Sequence, residues 1–485
     1  MAGVAIWSCF VWLGVVRLDP DYGWHVRMGE YITAHGIPKT DPFSYTMANF
    51  PFIDHEWATN LMMYWGDKLV GKPVMAMVSA TLVFLVILIS VPKKFRRWMA
   101  VPGLLAFSIW WPRAGVRPQV EDWVFLPVVM RLVGDESWWK RWKWLFPLLM
   151  LFWANLHGGF VVGLAVGGTI AAVKMIENRR WRFEDTLVFV VAGLATLVNP
   201  YGIRLWGEVW QQLSDRKVGK IIAEWQPFYA EVELGWVFMI SWVGTLGFRY
   251  WKKVEKWKLV VVAATFAASI SSLRHGALFA VTCLPLASEL MANFYEEFRN
   301  DKVALARLGK FYKGIVVMAG IVFMITVGQT VVNPMTRLSE GYFYPTGAIE
   351  YLKDSGIKGN LYTDYGWGGY MDWKMPEVKG FIDGRMATWK WKSPDPTYSD
   401  YVFDEYLDIT FRGKWQPWFD KYGIATVVLP VPRTWPVREW LRSKLQLIGI
   451  NFSVNNSYFG LTNELRDAKW RLVYSDEAAL VFERP

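Results

Sequence analysis

The chain has 485 residues, is 53% hydrophobic and carries 31 tryptophans. That is too apolar for a soluble domain of this size, and so much tryptophan suits a protein with two membrane–water interfaces to line. The net charge of +10 does not argue for nucleic acid, because Lys and Arg concentrate in short runs between apolar stretches, as cytoplasmic membrane loops do.

A spanning helix needs roughly 20 apolar residues. In chain order the candidate spans are residues 2–16, 73–91, 99–111, 123–133, 144–155, 159–176, 185–198, 235–248, 259–271, 277–292 and 314–332, about 11 in all. Several are short, the fourth and fifth most of all, which leaves half-helices open. The first begins almost at Met1 and no A-x-A-like site follows it, so it is expected as a retained helix. Cys9 and Cys283 both fall in apolar stretches and read as buried thiols.

Alternate loops carry the basic runs: Lys93-Lys94-Phe95-Arg96-Arg97, Lys140-Arg141-Trp142-Lys143, Arg179-Arg180-Trp181-Arg182, then residues 251–258 and 299–313. The positive-inside rule assigns these, with the N-terminus, to the cytoplasm. The first loop (residues 17–72), the segments around Arg113, His157 and Asn199, and everything after Val332 then face outward. All five histidines lie at or beyond outer span ends, as do Arg113, Arg117, Gln119, Asn155, Asn199 and Arg274. The expected product is a polytopic α-helical membrane domain, residues 1–332, in the cell (inner) membrane. Residues 333–485 form an extracytoplasmic α/β domain, with strands over 359–363, 378–382, 424–429, 470–474 and 479–482. Its helices are expected over 346–353, 414–422 and 437–447.

The first outer loop opens with Asp19-Pro20-Asp21-Tyr22-Gly23-Trp24-His25. Two carboxylates at i and i+2, held by Pro20 beside a span, can act as a base or a metal-ligand pair; the bland reading is an N-cap for a helix over 22–34. Asp54-His55-Glu56-Trp57 closes the loop's polar part, either as a second cluster or as a helix start capped by Asp54. It is no zinc motif, since Thr59 stands where H-E-x-x-H needs histidine.

Arg113 and Arg117 at the rim suit a phosphate, whose oxygens match guanidinium bidentately; snorkelling to lipid headgroups is the alternative. Arg274-His275 has the same two readings. Asn155-Leu156-His157-Gly158-Gly159 and Asn199-Pro200-Tyr201-Gly202 break apolar helices, where Gly and Pro turn the chain and Asn satisfies freed backbone groups. The His157 imidazole has no evident structural need to be there. In the outer domain, Asp364-Tyr365-Gly366-Trp367-Gly368-Gly369-Tyr370 and Phe381-Ile382-Asp383-Gly384-Arg385 suit either close approach of a sugar or a tightly packed turn.

A short first span, an acidic first outer loop, many spans and an outer C-terminal domain together resemble the GT-C glycosyltransferases. The nearest likeness is to bacterial membrane proteins of that type with D-x-D-x-W-W-H near the start and Y-x-W-G-G-Y…F-I-D-G-R near the end. Here Gly23 replaces the first tryptophan. A weaker likeness is to oligosaccharyltransferase catalytic subunits, through Asp19-Pro20. Their W-W-D-Y-G is represented only by Asp364-Tyr365-Gly366, and no second D-x-D stands out near Arg113. Protein O-mannosyltransferases and lipid A aminoarabinose transferases are the safer comparison.

The resemblance implies an inverting hexosyltransferase that moves a sugar from a polyprenyl-phosphate donor to a hydroxyl of a glycan, lipid or protein acceptor, within the lipid bilayer and without nucleic acid. Asp21 or Asp19 would be the base. Arg113, Arg117, Arg274 and His275 would stabilise the leaving phosphate. His25, Asp54, His55, Glu56, His157, Asp364, Tyr365, Asp383 and Arg385 would line the substrate. No cofactor is implied, a divalent metal at Asp19 and Asp21 being the alternative. A non-catalytic polysaccharide-assembly protein and a lipid-linked-sugar transporter are the readings from other classes.

Overall fold

The structure is a computed structural model that describes residues 2–178, 182–215, 218–332, 338–432 and 457–485. The expected helix over 437–447 and the residues Arg179, Arg180 and Trp181 of the third basic run lie outside the described residues.

The chain folds as two compact units that do not follow a single cut in sequence. One comprises Met1–Arg17 and Ile53–Arg337, the other Leu18–Phe52 and Leu338–Pro485. The first outer loop is therefore divided. Residues 18–52 belong with the C-terminal residues, and the boundary drawn at 332 from hydropathy alone misses this, because hydropathy registers spans and not partners.

In the first unit a helix covers most of every one of the candidate spans. Among the described residues, four helices are long and apolar enough to cross a membrane by length and composition: Trp57–Ser90, Phe160–Glu177, Leu273–Phe298 and Ala306–Val332. The run Trp57–Ser90 is two helices in one. Gly71, at φ 76°, breaks the helical path, and Pro73 then opens the apolar segment, as a residue without an N–H can at a first turn. The centre of the unit is Gly276–Phe298, nearly continuously buried from Gly276 to Ala292. It packs on Ala100–Trp110, Leu234–Tyr250 and Lys256–Ser271.

Tryptophan serves this core as well as the interfaces. Trp110, Trp111 and Trp153 are fully buried, and their N–H groups donate to Ala277 O, Thr330 Oγ1 and Asp122 Oδ1, as buried indoles require. The basic loops are likewise not solvated throughout. Lys143 is buried against Glu184 and Asp185, and Lys258 against Glu255 and Glu289. Cys283 is buried and Cys9 half-buried, both as free thiols.

The second unit is built on a four-stranded sheet: β1 (Asn360–Thr363), β2 (Ile424–Pro430), β3 (Arg471–Ser475) and β4 (Ala479–Glu483), in the order β1-β2-β4-β3. β1 and β2 are parallel; the other pairs are antiparallel. Parallel strands need a long crossover, which the helices Gly368–Lys374, Val402–Phe411 and Trp415–Tyr422 supply. The expected strand over 378–382 is a single bridge, Ser44 to Gly380. The first-loop residues occupy its edge instead: Gly380 N donates to Phe43 O, Tyr45 N to Gly380 O, and Thr46 Oγ1 to Phe381 O. Once those groups are taken no ladder can continue.

Candidate functional site

In the second unit the two motifs that sequence reading singled out, more than three hundred residues apart, meet. Helix Tyr22–His35 packs on helix Gly368–Lys374. The contact is backbone to backbone: a Cβ on Gly23 would lie 2.1 Å from Gly369 O. The glycine in place of a motif tryptophan is thus what allows this packing, and the residues of Gly366-Trp367-Gly368-Gly369-Tyr370 face a helix, with Trp367 and Tyr370 buried.

Asp19 and Asp21 separate into two roles there. Asp19 Oδ1 accepts from Asp21 N at 3.0 Å and its carbonyl accepts from Tyr22 N, so Asp19 shapes the turn that starts the helix. Asp21 occupies the N-cap position, but its carboxylate makes no capping bond. Oδ1 accepts instead from Trp24 Nε1 at 2.9 Å and abuts Gly384, where a Cβ would lie 2.0 Å away. Gly384 O accepts from Tyr365 Oη at 3.0 Å. Asp21, Gly384 and Tyr365 therefore form one half-buried cluster.

The neighbouring motif residues are tied into the fold. Arg385 pairs with Asp383 (Nη2–Oδ2 2.5 Å) and Asp41 (Nη1–Oδ1 2.9 Å), enclosed by the rings of Phe43, Phe52 and Trp389. Asp372 lies in the same electrostatic neighbourhood, and burial together with the Asp383 charge raises its pKa well above the usual carboxylate range. Asp364 accepts from Gly366 N and Tyr406 Oη. His25 is buried, its ring 3.7 Å from that of Trp24. Asp41 and Asp372 gave no signal in sequence, since neither belongs to a recognisable spacing.

In the first unit Asp54, His55, Glu56 and His157 come together. Asp54 accepts from Glu56 N and, through both oxygens, from Asn60 Nδ2, so it orders the turn before helix Trp57–Ser90. His157 Nε2 lies 2.9 Å from Glu56 Oε1 and its Nδ1 2.8 Å from Asp122 Oδ2. His55 Nε2 is 3.4 Å from Glu56 Oε1. Burial alone would neutralise His157, but Asp122 and Glu56 outweigh it and push its pKa up to about 10. Burial also works against the Glu56 charge, yet His55 and the His157 bond hold it well below the usual carboxylate range. Burial raises Asp54 to about 6 despite the Asn60 bond. His157 is thus a fixed imidazolium between two carboxylates, suited to positioning and not to proton transfer near neutrality. That is the structural need that the sequence did not disclose. Its partner Asp122, with Glu121 bonded to Thr59 Oγ1, was foreshadowed only by two acids entering an apolar stretch.

The rim arginines are also accounted for. Arg113 is bidentate to Glu233 (2.8 and 3.1 Å) and donates to Leu273 O and Ile109 O. Arg117 Nη2 donates to both carboxylate oxygens of Glu224 (2.8 and 3.1 Å). Burial opposes the Glu224 charge, but Arg117, Arg274 and Arg17 hold the carboxyl down at about 2. The Arg274 guanidinium stacks over Trp225 at 5.0 Å, and among the described residues no carboxylate lies within ion-pair distance of it. His275 Nδ1 sits 3.2 Å from Ala268 O. Arg113 and Arg117 are thus paired with Glu233 and Glu224, while Arg274 acts on Glu224 only at longer range. Asn155 and Asn199 hold turns, through Leu151 O and Val198 O and through Tyr201 N and Thr196 O respectively.

Among solved structures, the chain is similar to ArnT from Cupriavidus metallidurans bound to undecaprenyl phosphate, with a TM-score of 0.50, 14% identity, and coverage of 99% of this chain and 96% of that one. The chain has a GT-C fold. It is accordingly a polytopic α-helical membrane protein with a small C-terminal sheet domain. The archaeal oligosaccharyltransferase AglB from Archaeoglobus fulgidus, in complex with an inhibitory peptide and a dolichol-phosphate, also aligns, at a TM-score of 0.48 and 11% identity over 88% of this chain and 69% of that one. No family model matches the chain, and no curated protein matches it in sequence.

Proposed function

We propose that this GT-C protein is an inverting glycosyltransferase that transfers a hexose from a polyprenyl-phosphate donor to an acceptor hydroxyl at the extracytoplasmic face. The observation that carries the reading is Arg274, stacked over Trp225 and, among the described residues, without a carboxylate at ion-pair distance, on a fold whose solved likeness holds undecaprenyl phosphate. Arg113 and Arg117 are consumed by their glutamates and act as the frame. Arg274, braced by Trp225, is the group left to meet a phosphate.

Asp21 is the base. It takes the proton of the acceptor hydroxyl as that oxygen attacks the anomeric carbon. The bond from that carbon to the phosphate oxygen breaks, and polyprenyl phosphate leaves with its charge met by guanidinium. Asp19 positions Asp21 through the turn, Trp24 Nε1 donates to the carboxylate and Gly384 abuts it. Purified protein incubated with radiolabelled polyprenyl-phosphate hexoses tests the reading. Consumption of a donor by the parent and not by Asp21→Asn is the expected result. Full activity in the Asp21→Asn protein would overturn the base, and no donor consumption at all would overturn the transferase.

A further inference from the structure

The first unit contains a cavity of about 440 Å³ among the helices Ala100–Trp110, Leu234–Tyr250, Gly276–Phe298 and Lys302–Val332. Its wall is hydrocarbon and aromatic, including Leu105, Phe238, Trp242, Met291 and Ile315. It opens sideways, for Phe311 and Met318 line it while 63% and 42% exposed. Two of its helices are among those long and apolar enough to cross a membrane. A side-opening apolar cavity at that depth meets acyl chains, not water.

The mouth has the composition of a membrane interface. Trp98 packs on Tyr295 and Tyr312, with ring centroids 4.6 and 6.1 Å apart, and Tyr250 Oη donates to Glu297. Aromatic residues collect at headgroup level. Arg307, Lys310 and Lys313 are exposed and interleave with the wall residues Leu308, Phe311 and Tyr312 on one helix. Among the described residues none of the three has a carboxylate within ion-pair distance. Charge and hydrocarbon thus occur side by side, as in an anionic amphiphile's complement.

This place is separate from the proposed donor site. Met291 lies seventeen residues beyond Arg274, most of them along helix Gly276–Phe298, which at 1.5 Å per residue is roughly 25 Å. Size also discriminates. A methylene fills about the ~30 Å³ that a water takes in the liquid, so the cavity holds on the order of one fatty-acyl chain. An undecaprenyl chain is several times longer.

We infer that the cavity binds one acyl chain of an anionic glycerophospholipid, whose phosphate is held by Arg307, Lys310 and Lys313. Native mass spectrometry of the full chain, delipidated and re-incubated with dioleoyl phosphatidylglycerol, dioleoyl phosphatidylcholine or undecaprenyl phosphate, tests this. The expected result is one retained phosphatidylglycerol, preferred roughly tenfold or more over phosphatidylcholine, given the attraction of three cations. R307Q/K310Q/K313Q, at exposed positions, should bring the two lipids to parity. Ala319→Phe, which fills the cavity, should lose both. Equal retention of the two phospholipids by the parent, an unchanged preference in the triple variant, or displacement of phosphatidylglycerol by undecaprenyl phosphate would each overturn the assignment. None of these outcomes bears on donor consumption, so the two proposals fail independently.

Discussion

Glu56 Oε1 lies 2.9 Å from His157 Nε2 and makes a buried ion pair that joins the end of the first outer loop to the turn between two apolar helices. Because Asp122 holds the other ring nitrogen, the imidazolium is worth more to the fold than to chemistry. Removing the cation strands two buried carboxylates, which costs about 3–5 kcal/mol for a buried pair. His157→Gln should therefore lower the melting temperature in detergent by several degrees. An unchanged melting curve would show that the pair contributes nothing.

The same residue sets a pH dependence. Its folded pKa of about 10 stands above the ordinary 6.5, so its stabilisation is fully present below about pH 6.5 and is lost as pH rises through 10. The melting temperature of the parent should fall between pH 7 and 10, and that slope should flatten in His157→Gln. Parallel slopes in the two proteins would refute the assignment.

Asp19 and Asp21 should separate in experiment. Asp21→Asn is expected to reduce donor turnover by about 10²–10⁴-fold, the usual worth of general-base help, with an unaltered melting temperature. Asp19→Ala removes the acceptor of the Asp21 N–H and should cost about 0.5–2 kcal/mol of stability with a smaller loss of rate. The reverse pattern, read from turnover and melting of the two proteins, would exchange their roles.

Gly384→Ala places a methyl 2.0 Å from Asp21 Oδ1. The carboxylate has to move, and a displacement of about 1 Å at a reacting group can cost 10²-fold in rate. Turnover should drop by about that factor while the acceptor KM changes little. Normal turnover would mean that the carboxylate position is not critical.

Arg113 and Arg274 should also differ. Arg113→Gln leaves the half-buried Glu233 without its partner and should destabilise the protein by up to about 3 kcal/mol, the lower end for a buried pair. Arg274→Gln strands no paired carboxylate and should raise the donor KM or lower kcat at an unchanged melting temperature. Thermal melting and steady-state kinetics of both proteins distinguish frame from phosphate contact.

The spans were legible because a bilayer imposes a length and a composition that survive in any tertiary context. The sheet strands β1 to β4 were legible for a similar reason, as short β-branched or aromatic runs. Residues 378–382 misled because they have strand composition but find a loop, not a strand, as partner. Asp19 and Asp21 were visible as a pair, yet only geometry separates a carboxylate that accepts from the Asp21 backbone N–H from one that accepts from the Trp24 indole. The histidine–carboxylate cluster was half visible. Glu56 and His157 announced themselves as ionisable groups at span ends, whereas Asp122 reads from sequence as an ordinary first-turn acid. The arginines were visible, but not that Glu224 and Glu233 claim two of them.

The division of the first loop governs how the protein is made. Residues Leu18–Phe52 leave the ribosome nearly three hundred residues ahead of the chain they pack with, Leu338–Pro485. At about 5–20 residues per second, the interval is on the order of tens of seconds. Throughout it Phe43, Phe50 and Phe52, buried in the finished unit, have no native cover. Translation that stops before Arg385 and Trp389, whose side chains lie against these rings, leaves them permanently uncovered, so a truncated chain should be a target for proteolysis even when the helices of the first unit are complete.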